Sequence, residues 1–122
     1  MNKKQFIDYI NSNYKSTNLE MLTNNNTAYS NINKAKDVWW FNIGIEKFGS
    51  DFNLILVGDY KSYWLHLPKG FCNSLESKFK IRLDKDAVDL EICADKSDVN
   101  YLKDIKSGGS NFDFKKYIQV EI

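Results

Sequence analysis

Val38-Trp39-Trp40-Phe41-Asn42-Ile43-Gly44-Ile45-Glu46 alternates, with Trp39, Phe41, Ile43 and Ile45 on one side and Trp40, Asn42, Gly44 and Glu46 on the other. A period of two is the mark of a half-buried strand, because successive side chains of an extended chain point to opposite faces. Downstream, Gly49-Ser50-Asp51 supplies a turn and Phe52 to Val57 a short continuous apolar run. Gly58-Asp59-Tyr60-Lys61 then supplies a second turn before Tyr63-Trp64-Leu65-His66-Leu67. Apolar runs punctuated in this way predict three antiparallel strands in a meander. Pro68 ends the third, since proline has no N–H to extend the ladder.

Beyond Pro68, Phe71, Leu75 and Phe79 recur every four residues and predict a short helix. Phe79 to Leu83 and Val88 to Cys93 read as two further strands around the charged turn Asp84-Lys85-Asp86. Asp98 is placed to cap a second short helix carrying Val99, Leu102 and Ile105, stopped by Gly108-Gly109. The tail from Phe112 to Ile118 fits a final short helix or a strand. Towards the N-terminus, Phe6, Ile7, Ile10 and Tyr14 fall at helical spacing, with Lys4, Asp8, Asn11 and Lys15 on the other face. Residues 16–36 are rich in Asn, Ser and Thr, which compete for backbone hydrogen bonds, so they read as a loop with a turn at Leu19-Glu20-Met21-Leu22. Ordered loops of about 20 residues tend to be functional, which makes this one a candidate contact surface. The expected fold is α+β, a single domain over residues 1–122, with an antiparallel sheet of about five strands, an N-terminal helix and two short helices.

The 122 residues are 43% apolar and 15% aromatic, enough for one core and not two. Seventeen Lys and Arg against sixteen Asp and Glu give a formal charge of +1, so the global positive field of a duplex-DNA binder is absent. No run approaches the roughly 18 apolar residues of a membrane helix, and Met1-Asn2-Lys3-Lys4-Gln5-Phe6 leads into Ile7 without a signal core. A cytoplasmic protein with no membrane partner is the expectation. Cys72 and Cys93 lack both disulfide-framework and zinc-knuckle spacing and read as reduced, buried thiols. His66, the single histidine, sits between Leu65 and Leu67 and reads as structural, on the outer sheet face. Asp51 with Asp59-Tyr60-Lys61, or Glu76-Ser77-Lys78, imitates the carboxylate and carboxylate-x-Lys pattern of Mg²⁺ nucleases, but the first lies in turns and the second on a helix. The common phosphate-cradling and nucleophile motifs are missing. A chain rich in core residues and poor in catalytic constellations is read as a non-enzymatic, cofactor-free recognition module.

Charge patterning supplies the candidate contacts. Asp84, Asp86, Asp89, Glu91, Asp95 and Asp98 share their segment with only Lys85 and Lys96, a local net of −4. Just before it, Lys69, Lys78, Lys80 and Arg82 face only Glu76, a local net of +3. An acidic strand and its flanks can occupy a groove built for phosphates, whereas the basic stretch would serve nucleic acid. Trp39, Trp40, Tyr60, Tyr63 and Trp64 cluster on adjacent strands, and Trp40 and Trp64 are the expected outward pair, suited to a protein contact or to base stacking.

The order Trp39-Trp40-Phe41-Asn42-Ile43, Phe52-Asn53-Leu54-Ile55-Leu56, Tyr63-Trp64-Leu65-His66-Leu67-Pro68 and Phe112-Asp113-Phe114-x-x-Tyr117-Ile118 resembles the accessory α+β domain at the end of some restriction-type and HNH-associated proteins of bacteria and phages. The resemblance spans roughly residues 38–118, rests on sheet and packing signatures, and carries over no functional residue. It implies a setting of phage and host conflict. With its own starting Met and no attached nuclease, the chain is expected to act alone, and in composition it is similar to phage-encoded inhibitors of the anti-CRISPR kind. The leading expectation is therefore an inhibitor or adaptor of a bacterial defence nuclease, contacting it through Asp84, Asp86, Asp89, Glu91, Asp95 and Asp98 with Trp40 and Trp64. A nucleic-acid-binding accessory module of a restriction-type system is the alternative, and a Mg²⁺-dependent nuclease the third reading.

Overall fold

In the computed structural model, which describes residues 1–14 and 18–122, the N-terminal helix forms where its apolar spacing places it. Helix α1 (Lys3–Asn13) buries Phe6, Ile7 and Ile10. It opens on a capping box, in which the Asn2 side chain accepts from the Gln5 N–H and the Gln5 side chain accepts from the Asn2 N–H. Lys15, assigned above to the polar helix face, and residues 16 and 17 of the Asn-rich loop lie outside the described residues.

The strands are β1 (Thr27–Asn33), β2 (Val38–Gly44), β3 (Phe52–Val57), β4 (Tyr63–Leu67), β5 (Lys80–Arg82), β6 (Ala87–Cys93) and β7 (Ile118–Glu121), with a single helical turn, α2 (Leu75–Lys78), before β5. They form one seven-stranded sheet in the order β5-β6-β2-β1-β3-β4-β7. The α+β class and the N-terminal helix stand as expected, but the sheet is larger than five strands and mixed. The extra strands are β1, inside the segment read as a loop, and β7, which begins only where the undecided tail ends; that tail itself forms a short 3-10 turn over Lys115–Tyr117. β1 also changes the topology. Strands β2 and β3 run in opposite directions, as a meander requires, but β1 pairs antiparallel with β2 and lies between the two, so β1 and β3 must be parallel.

The helix expected from Asp98 is absent. Val99 is 82% exposed, and Leu102 takes a left-handed φ of 67° that no α-helix accommodates. The backbone serves the sheet instead: Cys93 N–H donates to Lys103 O, Leu102 N–H to Cys93 O and Ile105 N–H to Glu91 O, each at 2.8–2.9 Å. β5 is only three residues long and leaves the far half of β6 without an outer partner, so a helix here would strand buried amide groups. The helix expected across Phe71 to Phe79 shrinks to α2 for a related reason, as Phe71 and Phe79 pack together and against Phe112.

One sheet face carries the main core. Trp39, Phe41 and Ile43 of β2, Leu54 and Leu56 of β3, Leu65 of β4 and Val88, Leu90 and Ile92 of β6 lie under Leu102 and Phe114. On the opposite face α1 covers only one half, packing Phe6, Ile7 and Ile10 with Leu22 on Ile55 and Trp64. The loop leading to β1 is fastened there: the Asn11 carboxamide donates to Leu22 O and accepts from Leu22 N–H, both at 2.8 Å.

Candidate functional site

The half of the α1 face that the helix leaves open is where the sequence-derived contacts can be tested. Register places Trp40 opposite Glu91, Asn42 opposite Asp89 and Lys80 opposite Asp89, so these side chains share one face across β2, β6 and β5. Trp40 is 49% exposed, and its indole Nε1–H donates to Asp89 Oδ1 at 3.0 Å. Lys106 reaches over both acids, 3.5 Å from Asp89 Oδ2 and 3.6 Å from Glu91 Oε1, and Lys36 stands 3.4 Å from Glu91 from the other side.

Asp89 and Glu91 are therefore buried, contrary to the expectation that they are surface contacts for a partner. The reason is positional. β6 lies between β2 and the outer run of β5 with residues 102–105, not at an edge, and all seven of its residues are buried. Alternation does turn the two acids away from the main core, but Trp40, Lys36 and Lys106 close over them and compensate their charge.

The other four acids do not join them. Asp84 and Asp86 flank the β5–β6 turn and Asp95 and Asp98 follow the far end of β6, so seven strand residues, roughly 23 Å at strand rise, separate the pairs. Three of the four are engaged locally. Arg82 Nη2 lies 2.9 Å from Asp84 Oδ2 and holds that carboxyl below the usual carboxylate range; Asp95 accepts from Ser97 N–H and Oγ–H and is likewise lowered; Asp98 accepts from Asn100 N–H at 2.7 Å. Asp86 supplies a turn residue at φ 49°. Much of the acidic density is turn chemistry.

Trp64 also needs correction. It is on the same sheet face as Trp40, as alternation requires, but lies under α1, is 1% exposed, and donates its Nε1–H to Asn53 Oδ1 at 2.9 Å. His66 sits on that face too, with Nδ1 3.0 Å from Asn53 Oδ1 and Nε2 3.5 Å from Asp51 Oδ2. The nuclease imitation comes apart for a similar reason. Asp51 precedes β3 and Asp59 follows it, roughly 20 Å apart at strand rise. Asp59 pairs with Lys34 and Lys61 with Glu121. Among the described residues no three His, Cys, Asp or Glu side chains converge as metal ligands would.

Beneath the open face lies a residue the sequence did not single out. Asp104 is 0% exposed; its Oδ1 accepts from the N–H groups of Glu91 and Lys106, both at 3.1 Å, and its Oδ2 has no hydrogen-bond partner. Burial pushes its pKa up to about 6 against the lowering effect of those two amides, and the charges of Glu91 and Asp89 add to the rise. Asp104-x-Lys106 fell within a segment read as helix, which hid the fact that both residues act on β6.

No family model, curated protein or solved structure matches this chain.

Proposed function

We propose that this chain is a non-enzymatic binding protein that blocks or adapts a bacterial defence nuclease, with the open face of β2, β6 and β5 as its contact and Trp40 at the centre. The observation that carries a binding role is the indole of Trp40. It is half-exposed and held by Asp89, and it is ringed by ion pairs that are already partly desolvated. An aromatic anchor surrounded by water-excluding polar contacts is the composition of an interface hot spot. Asp89 contributes by fixing the indole, and Glu91 by holding Lys36 and Lys106, which form its rim. Asp84, Asp86, Asp95 and Asp98 serve as outlying contacts at the two ends of β6. The setting of phage and host conflict rests on the sequence resemblance alone.

The nucleic-acid alternative is weaker at this face because Lys36 and Lys106, the cations beside the exposed indole, are already paired with Asp89 and Glu91 and form no free basic stripe. The test adds purified protein to DNA-cleavage reactions of a panel of CRISPR and restriction nucleases. Inhibition that saturates at one equivalent and is lost in Trp40→Ala is the expected result. No inhibition across the panel, together with direct DNA binding that falls steeply with salt, would move the assignment to the accessory nucleic-acid module.

A further inference from the structure

Where α1 begins, the cover over the sheet is incomplete, and a cleft of about 370 Å³ opens between Lys3, the turn at Asn24 and Asn25, and the Asn42–Gly44 end of β2. Two ammonium groups meet in it. Lys3 Nζ donates to Asn24 O at 3.0 Å, and Lys47 Nζ donates to Asn25 O at 3.1 Å and also to the Asn25 side-chain oxygen. Carbonyls of adjacent residues thus hold the two cations near one another. Burial and then the Lys47 charge lower the pKa of Lys3. No Asp or Glu is part of the lining, and neither lysine forms an ion pair with a carboxylate among the described residues. Glu46 packs against Gly44, where a Cβ would stand 2.5 Å from its Oε1, and is not bridged to either lysine.

A third donor belongs to the same lining. Asn42 Nδ2 is shielded from solvent and has no hydrogen-bond partner. Two cations and an unpaired amide thus line one space, and no carboxylate, Glu46 included, is bonded to any of them among the described residues. Like charges held together repel, and a bridging anion removes that repulsion and supplies acceptors to all three groups. The remaining wall is Thr27, Ala28, Ile43 and Gly44 with the half-buried ring of Tyr29 and the buried edge of Phe52.

We infer that this cleft is a binding site for a small phosphate-class oxyanion, held between Lys3 and Lys47 with Asn42 as a further donor. The site adjoins the Trp40 face but needs no protein partner, and it stands whether or not that face engages a nuclease. The phosphate can be free orthophosphate or the phosphate of a mononucleotide whose base rests on the half-buried Tyr29 ring, and the two differ in measured affinity.

The experiment is an NMR titration of the ¹⁵N-labelled full chain at constant ionic strength with orthophosphate, adenosine monophosphate, adenosine and sodium chloride. The expected result is saturable movement of the Asn42 side-chain amide and the Lys47 backbone amide with orthophosphate and the nucleotide, and none with adenosine or chloride. Tighter binding of the nucleotide identifies it as the source; equal binding identifies free phosphate. Lys3→Gln with Lys47→Gln should weaken binding by roughly tenfold or more, whereas Lys115→Gln with Lys116→Gln should leave it unchanged. Should the first pair disturb the fold, Lys47→Glu alone, checked by its dispersed spectrum, must abolish binding. Shifts that never saturate, that follow total salt, or that persist in a folded Lys47→Glu variant would overturn the assignment.

Discussion

Asp104→Asn is the sharpest test of how charge is arranged under the open face. In the folded protein Asp104 is fully buried and its pKa rises from the ordinary 3.8 to about 6, chiefly through burial. An acid whose folded pKa is raised binds its proton more tightly in the native state than in the unfolded chain. Stability therefore increases as pH falls from about 7 towards 4, and is lost as pH rises through about 6. A rise from 3.8 to about 6 corresponds to about 3 kcal/mol across that window. Asparagine keeps the acceptor for Glu91 N–H and Lys106 N–H but cannot ionise. Its new amide hydrogens must find partners where Oδ2 has none, which costs about 1–3 kcal/mol, so the absolute gain near neutrality is smaller than the titration energy. The decisive quantity is the slope. Urea unfolding followed by the fluorescence of buried Trp39 and Trp64, repeated from about pH 4 to 7.5, should show stability falling with pH more steeply in the wild type than in the variant, by about 3 kcal/mol over the range. Two parallel profiles would refute the claim that Asp104 carries an uncompensated charge at neutral pH.

The two outward-alternating tryptophans should separate cleanly. Trp64→Ala should cost about 3–5 kcal/mol in urea unfolding, whereas Trp40→Ala, which takes one donor from buried Asp89, should cost about 1–2 kcal/mol while removing partner binding. Comparable losses would mean that α1 does not cover Trp64 as described. Lys106→Met takes an ammonium from two buried carboxylates and should destabilise by roughly 3 kcal/mol, clearly more than Lys36→Met, whose side chain is 63% exposed. The order of the two midpoints in urea checks this. Asn11→Ala breaks both hydrogen bonds to Leu22 and should cost about 1–3 kcal/mol, with faster hydrogen exchange at the Leu22 amide as the local signature.

The strands with strong alternation or continuous apolar runs, β2, β3, β4 and β6, were legible in the sequence because their side chains report their burial directly. β1 was not, because Thr27-Ala28-Tyr29-Ser30-Asn31-Ile32-Asn33 carries few large apolar groups. It is a strand because it completes backbone ladders on both sides, a requirement set by β2 and β3 and not by its own composition. The 98–105 segment failed in the opposite sense. Its i, i+3 apolar spacing suits a helix, but the unpaired outer half of β6 needed hydrogen-bond partners, and that long-range demand outweighed the local pattern. Trp40 was identified correctly as the outward residue. Alternation also put Trp64 on the right face, but what covers that face depends on where α1 lands, and no local pattern encodes it. The charge count over 84–98 was legible as a count and misleading as a surface. It summed turn aspartates at two ends of a strand with two buried acids in its middle.

The size of α1 explains why such a face exists at all. Its 11 residues make a helix roughly 16 Å long and 10–12 Å wide, whereas seven strands at about 4.8 Å spacing span roughly 29 Å. Whichever way the helix lies, it covers at most about half of the sheet, so the remaining strands must present a face that tolerates water. Exposed Lys80 meets that demand together with Lys36 and Lys106, and by closing over Asp89 and Glu91 the last two lysines limit the cost of placing carboxylates on an interior strand. Trp40 does not meet it. A lysine or threonine at that position would satisfy both the alternation and the solvent, and the main core already draws its indole from Trp39 next door. Folding uses the indole N–H to satisfy buried Asp89, which a smaller donor could also do, and the carboxylate holds the ring in one orientation while leaving it half-exposed. A ring held in place on a face that folding leaves uncovered is suited to a partner, and this mismatch is the physical ground for centring the contact on Trp40 and not on the acids around it.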